Sequence, residues 1–338
     1  MSENNNVIVI DGNSIGRTAH RYQKRVIRGN FEIQAINGFL EVLTDIYNRH
    51  KDEFPNIIVL WDGKSKLRNE LLPSYKGTRH ITPEDIEIDR HYHLQMPYIE
   101  NMLNALGVRQ YKASDFEADD LAGYFVRRAA KDGRKVMLVS NDHDWLQYIN
   151  ENTSVFSPKG SNTVIKTHQN FSDYIDLNAT QFIEYKALLG DKSDNIPGIP
   201  GIGEKISVAL LQEFKSVKNM IKVHNTDEFT NIIQHNVLLK RYVKSISALC
   251  TNNELIEKFD LNVKLMDLLR PDYDAEMAKN IKYTTPKVSK EDFINILKEV
   301  NLTYNISNIS RWDSFLNKEN SPSANDKNTP SNRPKMRM

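Results

Sequence analysis

An α/β fold with a mostly parallel central sheet is what this sequence predicts, and three short runs carry the prediction: Val7–Ile10, Ile57–Trp61 and Val136–Ser140. Each is rich in β-branched residues and apolar throughout rather than alternating, as expected for strands buried on both faces of a parallel sheet. Between them the spacing turns helical. Ile33, Ile36, Leu40, Leu43 and Tyr47 share one helix face, as do Ile99, Met102, Leu103 and Leu106. Strand alternating with helix is the α/β pattern.

The texture changes near Asn178. Residues 178–215 read as two helices around the Gly/Pro-rich hairpin Pro197–Gly203, and 216–315 read as mostly helical, for example Val237–Leu249 and Glu291–Val300. The division expected is 1–177 for the α/β unit, 178–315 for a helical unit and 316–338 for a disordered tail rich in Asn, Ser and Pro.

A chain of 338 residues with 39% hydrophobic residues is long enough for two cores. Lys+Arg number 45 against Asp+Glu 44, for a net charge of +1. That balance excludes a uniformly basic coat protein and a wholly acidic disordered chain, while permitting local segregation of charge. With Cys250 as the one cysteine, no internal disulfide framework or Cys-based zinc cluster can form, and a reducing compartment is the default. No apolar run reaches the roughly 18 residues a membrane helix needs. The polar start MSENNN is not signal-like. A soluble protein of the cytoplasm is expected, with no membrane partner.

Acids follow the three strand candidates directly: Asp11 after the first, Asp62 after the second, Asp142 and Asp144 after the third. In open α/β sheets the functional crevice lies at the carboxyl ends of the strands, so parallel strands would bring these side chains to one edge. Glu117, Asp119 and Asp120 open an amphipathic helix, and Asp191 and Asp194 stand three apart before the hairpin. Any one group is explicable as a helix cap or a macrodipole partner. Together they repel, and cations are needed to hold them ionised in one crevice. All-oxygen ligands select hard divalent ions, here Mg²⁺ in two or more copies with Mn²⁺ as a substitute. Two such ions about 4 Å apart suit phosphodiester hydrolysis by in-line attack of an activated water.

Cations flank the acids. The run 64–79 carries Lys64, Lys66, Arg68, Lys76 and Arg79 against Glu70 alone, and the run 17–28 carries Arg17, Arg21, Lys24, Arg25 and Arg28 with no acid. The first run directly follows Asp62, so its cations can reach phosphate at the crevice; Tyr75 within it is placed to stack on a base. In the hairpin, Gly198, Gly201 and Gly203 permit tight turns and close backbone approach, and the next helix opens beside Lys205. That is an anion site suited to a DNA phosphate and indifferent to base sequence.

Assembled, the stretches VIDGNS, LWDGKSKLRNELLPSYKGTR, FEADDLAGY, VSNDHDWLQ and YKALLGDKSDNIPGIPGIGEK resemble the 5′ nuclease superfamily in the family's order from about 7 to 215. That superfamily includes flap endonucleases, the 5′ nuclease domain of bacterial DNA polymerase I and stand-alone phage 5′–3′ exonucleases. The resemblance implies a PIN-like nuclease core, a helical arch in roughly 64–97 and a helix–hairpin–helix (H3TH) DNA clamp at 178–215. It implies that Asp11, Asp62, Glu117, Asp119, Asp120, Asp142, Asp144, Asp191 and Asp194 are the metal-site carboxylates, the tighter site drawing mainly on Glu117, Asp119 and Asp120. Lys76 and Arg79 are similar to the arch pair that grips the scissile phosphate, and with Asp11 and Asp142 they make the expected catalytic set. Arg68, Tyr75, Lys186, Gly198, Gly201, Gly203 and Lys205 are the expected DNA contacts. His143 departs from the pattern, standing where the family has another basic residue.

The activity implied is metal-dependent 5′–3′ exonucleolytic and flap-endonucleolytic cleavage of DNA near single-strand/duplex junctions, leaving 5′-phosphates, in primer removal or DNA degradation. The expected partners are DNA with 5′ flaps, nicks or ends, with RNA primers and replication proteins as further candidates to a monomeric enzyme. With no polymerase region after the motifs, a stand-alone enzyme of phage type is expected, acting in host cytoplasm if phage-encoded. Alternative readings are a 5′ nuclease of RNA–DNA hybrids and a non-catalytic junction-binding protein.

Overall fold

A computed structural model of the chain describes residues 4–22, 24–28, 31–77, 82–158 and 165–317. Its strands are β1 (Val7–Asp11), the short hairpin β2 (Ile27–Arg28) and β3 (Phe31–Glu32), β4 (Asn56–Trp61), β5 (Arg109–Ala113), β6 (Val136–Val139), β7 (Thr153–Phe156), β8 (Ile165–Lys166), the pair β9 (Gly190–Asp191) and β10 (Ile196–Pro197), and β11 (Ile281–Tyr283). Seven of them form one sheet in the order β11-β5-β4-β1-β6-β7-β8, parallel from β5 to β7 with an antiparallel strand at each edge.

The three apolar runs are the three central strands. Along β1, Val7 and Val9 enter one core while Ile8 and Ile10 enter the other, so continuous apolar sequence is what the doubly covered strand requires. One face is covered by α1 (Gly12–Tyr22), α2 (Gln34–His50) and α4 (Pro83–Ala105). The short α3 (Lys66–Leu71) precedes α4, which opens on Thr82, whose hydroxyl accepts from the Asp85 amide, with Pro83 at its first turn. The other face is covered by α5 (Ala118–Lys131), and its core runs on without a break into the helical region.

That region begins with α6 (Phe182–Leu189), turns through β9 and β10, and continues with α7 (Glu204–Phe214), giving the expected helix–hairpin–helix. It extends through α8 (Val217–Val223), α9 (Asp227–His235), α10 (Val237–Arg241), α11 (Val243–Thr251), α12 (Asn253–Met266) and α13 (Asp274–Asn280). The chain then returns to the first unit: β11 joins the sheet edge beside β5. After it come α14 (Lys290–Glu299), α15 (Thr303–Ser307) and α16 (Asp313–Leu316), and Phe293, Leu297, Trp312 and Phe315 enter the α2/α4 core. The expected helical unit over 178–315 is therefore corrected after 280, where the amphipathic helices bury their apolar faces on the sheet unit and on each other, Phe293 meeting the Trp312 ring at 5.1 Å. Leu316 closes a helix rather than opening a tail; the remaining tail, 318–338, lies outside the described residues.

Register positions the crevice. Asp11 is level with Leu60 on β4, and Ile10 with Val139 on β6. The next residues on each chain therefore leave the sheet together, carrying Asp62 and Asp142. The strand order also turns at β1, with β4 and β5 laid to one side and β6 and β7 to the other. Such a switch point opens a crevice at the carboxyl ends.

Candidate active site

The acids divide by what compensates their charge. Asp11 is buried at the end of β1, where its carboxylate accepts from the Ser14 amide at 2.9 Å and the Ser140 hydroxyl at 2.7 Å. Burial, then the Asp62 charge, pushes its pKa up to about 7. Asp62 accepts from the Ala118 amide at 2.9 Å and so caps α5 from across the crevice. Asp119 accepts from the Trp145 indole N–H at 2.7 Å. Its pKa stands well above the usual carboxylate range, through desolvation and then the charges of Asp142, Asp11 and Asp62. Asp142 accepts from the Asp144 amide at 2.8 Å. It is exposed at the mouth of the crevice, yet the protein wall behind it and then the Asp144 charge push its pKa up to about 6. Among the described residues, none of Asp11, Asp62, Asp119 and Asp142 forms an ion pair with Lys or Arg.

The remaining acids are compensated. Arg68, 3% exposed, grips Asp120 through two bonds of 2.8 Å, reaches Glu117 at 3.4 Å and donates to the Leu265 carbonyl of α12 at 2.8 Å. Burial opposes ionisation of Asp120, but the Arg68 charge and hydrogen bonds hold its pKa below the usual range. Glu117 also receives the Lys76 ammonium at 2.5 Å. The Tyr75 hydroxyl lies 3.0 Å from Glu117 and 2.9 Å from Asp194, its one proton serving one carboxylate at a time. Lys186 bridges Asp144 at 2.9 Å and Asp191 at 2.7 Å, joining the post-β6 loop to the hairpin region. Burial would discharge Lys186, yet the Asp144 and Asp191 charges raise its pKa well above the ordinary range.

Three expectations change. Arg68 is not a surface contact for DNA: it is a buried counter-ion, because α3 turns its face onto α5 and α12. Tyr75 is buried, with its hydroxyl spent between two acids and the Lys76 ammonium 5.0 Å from its ring, so it presents no open face for a base. Lys186 is an internal bridge between acids. The tighter group also differs, since Glu117 and Asp120 are committed to Lys76 and Arg68 while Asp119 stands with Asp11, Asp62 and Asp142. Arg79 lies outside the described residues. His143 is exposed at the start of a 3-10 turn over His143–Tyr148.

The hairpin glycines serve different ends. A Cβ at Gly198 would run into the Leu189 carbonyl, so that glycine permits packing on α6. Gly201 has φ +75°. Gly203 faces open space where a side chain would stand, and it precedes α7 with Lys205 exposed in the first turn.

Sequence reasoning misses Ser140, whose hydroxyl donates to Asp11 and accepts from the Asp142 amide at 3.0 Å, spacing the two acids. A polar residue closing the apolar run VMLVS is the signal that marks it. The uncompensated set is all oxygen, buried or partly so and mutually repelling, a donor set that fits hard divalent cations. As the side chains stand, among the described residues no three acids or histidines converge on one point.

Comparison with known proteins places this geometry in a family. The family model of the 5′–3′ exonuclease N-terminal resolvase-like domain matches residues 6–175, and that of the 5′–3′ exonuclease C-terminal SAM fold matches 177–276. The 5′–3′ exonuclease of Buchnera aphidicola subsp. Acyrthosiphon pisum is 30% identical over 270 residues, covering 78% of this chain and 86% of that protein. DNA polymerase I of Bacillus subtilis is 32% identical over 228 residues, 66% of this chain, and only 25% of that polymerase is spanned. Among solved structures, phage T5 5′-exonuclease with bound zinc ions aligns with TM-score 0.62 at 23% identity over 88% of this chain and 98% of the other. The catalytic core of Rad2 with a DNA substrate aligns with TM-score 0.53 at 17% identity, over 93% of each chain. The chain belongs to the 5′–3′ exonuclease family.

Proposed function

We propose that the protein is a divalent-metal-dependent 5′–3′ exonuclease with flap endonuclease activity on DNA, Mg²⁺ being the working ion and Mn²⁺ a substitute. The observation that supports this most is the group Asp11, Asp62, Asp119 and Asp142: carboxylates brought to the crevice at the strand ends with no Lys or Arg paired to them among the described residues. Divalent cations held by these carboxylates would supply an activated water and neutralise charge on the phosphate. Asp11, Asp62, Asp119 and Asp142 would hold such ions, whose charge would favour the ionised carboxylates. Ser140 holds those two acids at a set spacing. Lys76, tethered to Glu117 at the rim, is positioned to turn to a phosphate oxygen, with Arg79 as its partner in sequence. Gly203 and Lys205 at the opening of α7 suit a backbone phosphate of the duplex. Similarity to phage T5 5′-exonuclease, solved with zinc, and to Rad2, solved with DNA, supports the metal and the substrate. Similarity to DNA polymerase I supports a place in DNA replication, which we assign to primer removal by a monomer in the cytoplasm.

The test is product mapping on 5′-flap, nicked, single-stranded and RNA-primed duplexes, with and without Mg²⁺. Products released from the 5′ side and ending in 5′-phosphate, lost in chelator, are expected. Hydrolysis from the 3′ end, or cleavage undiminished by chelator, overturns the proposal. Preference for the RNA-primed substrate would move the assignment toward hybrids.

A further inference from the structure

The chain holds three tryptophans, and their indole N–H groups meet different ends. Trp61 donates to the Gln110 side-chain oxygen at 2.9 Å, and the buried Trp312 has no acceptor among the described residues. Trp145, fully buried, gives its proton to a carboxylate, Asp119 Oδ1 at 2.7 Å. A buried indole asks only for some acceptor. Here it takes one oxygen of an acid that no Lys or Arg pairs, and Oδ2 meets no donor among the described residues. The backbone beneath is held by the same turn, since the Tyr148 hydroxyl donates to the Asp119 carbonyl at 2.6 Å. Residues three apart in a 3-10 turn lie one above the other, so Trp145 and Tyr148 reach α5 together, their rings edge to face at 6.4 Å. Gln147 anchors the turn, accepting from the Leu268 amide and donating to the Asp144 carbonyl, each at 2.8 Å. Asp142 opens it. One short turn thus carries one acid of the crevice and grips another that belongs to a different element.

We infer that Trp145 is a positioning residue for the metal centre: its indole N–H fixes the Asp119 carboxylate so that one oxygen is spent on the protein and the other is left for a divalent cation. The inference rests on the reading of Asp119 as a metal-site acid and adds to it the residue that aims this acid. An indole suits the task because it donates one proton, carries no charge and accepts nothing. A lysine could hold the same oxygen, but it would cancel the negative charge that attracts the cation. A donor behind a ligand removes freedom that the carboxylate would otherwise lose on binding the ion, so its absence is felt in metal affinity. Because the same turn carries Asp142, it also ties the place of Asp119 to that of a second acid.

The experiment titrates the full chain with Mn²⁺ in the absence of DNA and reads the free ion by electron paramagnetic resonance, so that no turnover enters. Trp145→Phe is compared with Trp312→Phe, which removes the same ring volume from an equally buried place far along the chain but has no hydrogen bond to lose. Thermal melting registers the cost of each. Mn²⁺ affinity is expected to fall roughly tenfold or more for Trp145→Phe and to stay level for Trp312→Phe. An affinity that Trp145→Phe leaves unchanged, or that Trp312→Phe lowers as much, overturns the inference. Asp119→Asn separates this outcome from failure of the reading beneath it. If that variant also leaves Mn²⁺ binding unchanged, Asp119 is no metal ligand and the reading itself falls; if it weakens binding while Trp145→Phe does not, only the role of the indole is refuted. Should Trp145→Phe fail to fold, the native chain decides. Its indole N–H resonances, assigned with Trp61→Phe and Trp312→Phe, are followed by NMR as Mg²⁺ is added. The Trp145 proton is expected to shift and to exchange more slowly with Trp312 unmoved, and a Trp145 signal that ignores Mg²⁺ overturns the inference.

Discussion

On the sheet side of the crevice, Asp11, Asp62, Asp119 and Asp142 meet, among the described residues, only hydroxyl, indole and backbone donors. On the side where α3, the 72–77 loop and the hairpin come together, Glu117, Asp120, Asp144, Asp191 and Asp194 meet Lys76, Arg68, Lys186 or Tyr75. The first group repels within itself, the charge arrangement on which the proposed cation binding rests. In the second group Glu117, Asp120, Asp144 and Asp191 are paired with cations, and the Lys186 pairs and the Tyr75 hydroxyl on Asp194 tie the α/β unit to the hairpin region. Acids that look alike in sequence thus differ in what surrounds them, and on the proposed function one side serves binding and the other assembly.

Breaking the compensated side carries the largest expected cost. Arg68→Gln leaves Asp120 and part of Glu117 buried without a counter-ion and removes the link to Leu265, so a loss of about 3–5 kcal/mol in urea unfolding is expected. A loss under about 1 kcal/mol would mean that the pair is solvated and the division into two sides is wrong.

The uncompensated side should respond in the opposite sense. Asp142→Asn removes one member of a repelling set, so the melting temperature of the metal-free protein should rise. Cleavage should fall roughly a hundredfold or more, the scale of several kcal/mol of lost charge stabilisation. Calorimetry beside single-turnover cleavage checks both, and parallel losses of stability and activity would erase the contrast.

Titration sharpens it further. With folded-state values near 7 for Asp11 and near 6 for Asp142 against the ordinary 3.8, the folded chain holds more protons than the unfolded one between about pH 4 and 7. These two groups therefore contribute stability below pH 4 that is lost as pH rises through 6–7. Melting of the metal-free protein should fall over that window, and added Mg²⁺ should flatten the fall. A profile that rises through the window in chelator contradicts the placement of these charges.

Half of this division is legible in the residues themselves. The runs VIVI, IIVLW and VMLVS are continuous because their strands are covered on both faces, and each acid follows its strand directly, so the uncompensated group is read from adjacency. The strand Arg109–Ala113 escapes such reading because RQYKA lacks an apolar run: it lies one strand from the edge, with an amphipathic face. The compensating partners are illegible for another reason. Arg68 and Asp120 are 52 residues apart, and Tyr75 and Asp194 are 119 apart, so no local spacing announces either contact. Read locally, Arg68 is one cation in a basic run. Only the packing of α3 on α5 and α12 takes it out of solvent.

The smallest change proposed is the most discriminating about how the two sides communicate. Tyr75→Phe keeps the buried ring and the Lys76 ammonium over it but removes the hydroxyl between Glu117 and Asp194. One hydrogen bond to a charged group is lost, so stability should fall by about 1–2 kcal/mol. Because that hydroxyl links the α5 opening to the hairpin, its loss cuts that link and leaves Glu117 to Lys76 and Arg68. If the compensated side serves only assembly, cleavage at saturating Mg²⁺ should change no more than about threefold, while thermal stability registers the full loss. A drop in cleavage comparable to that of Asp142→Asn, at unchanged stability, would instead make Tyr75 part of the reacting group and move the boundary between the two sides.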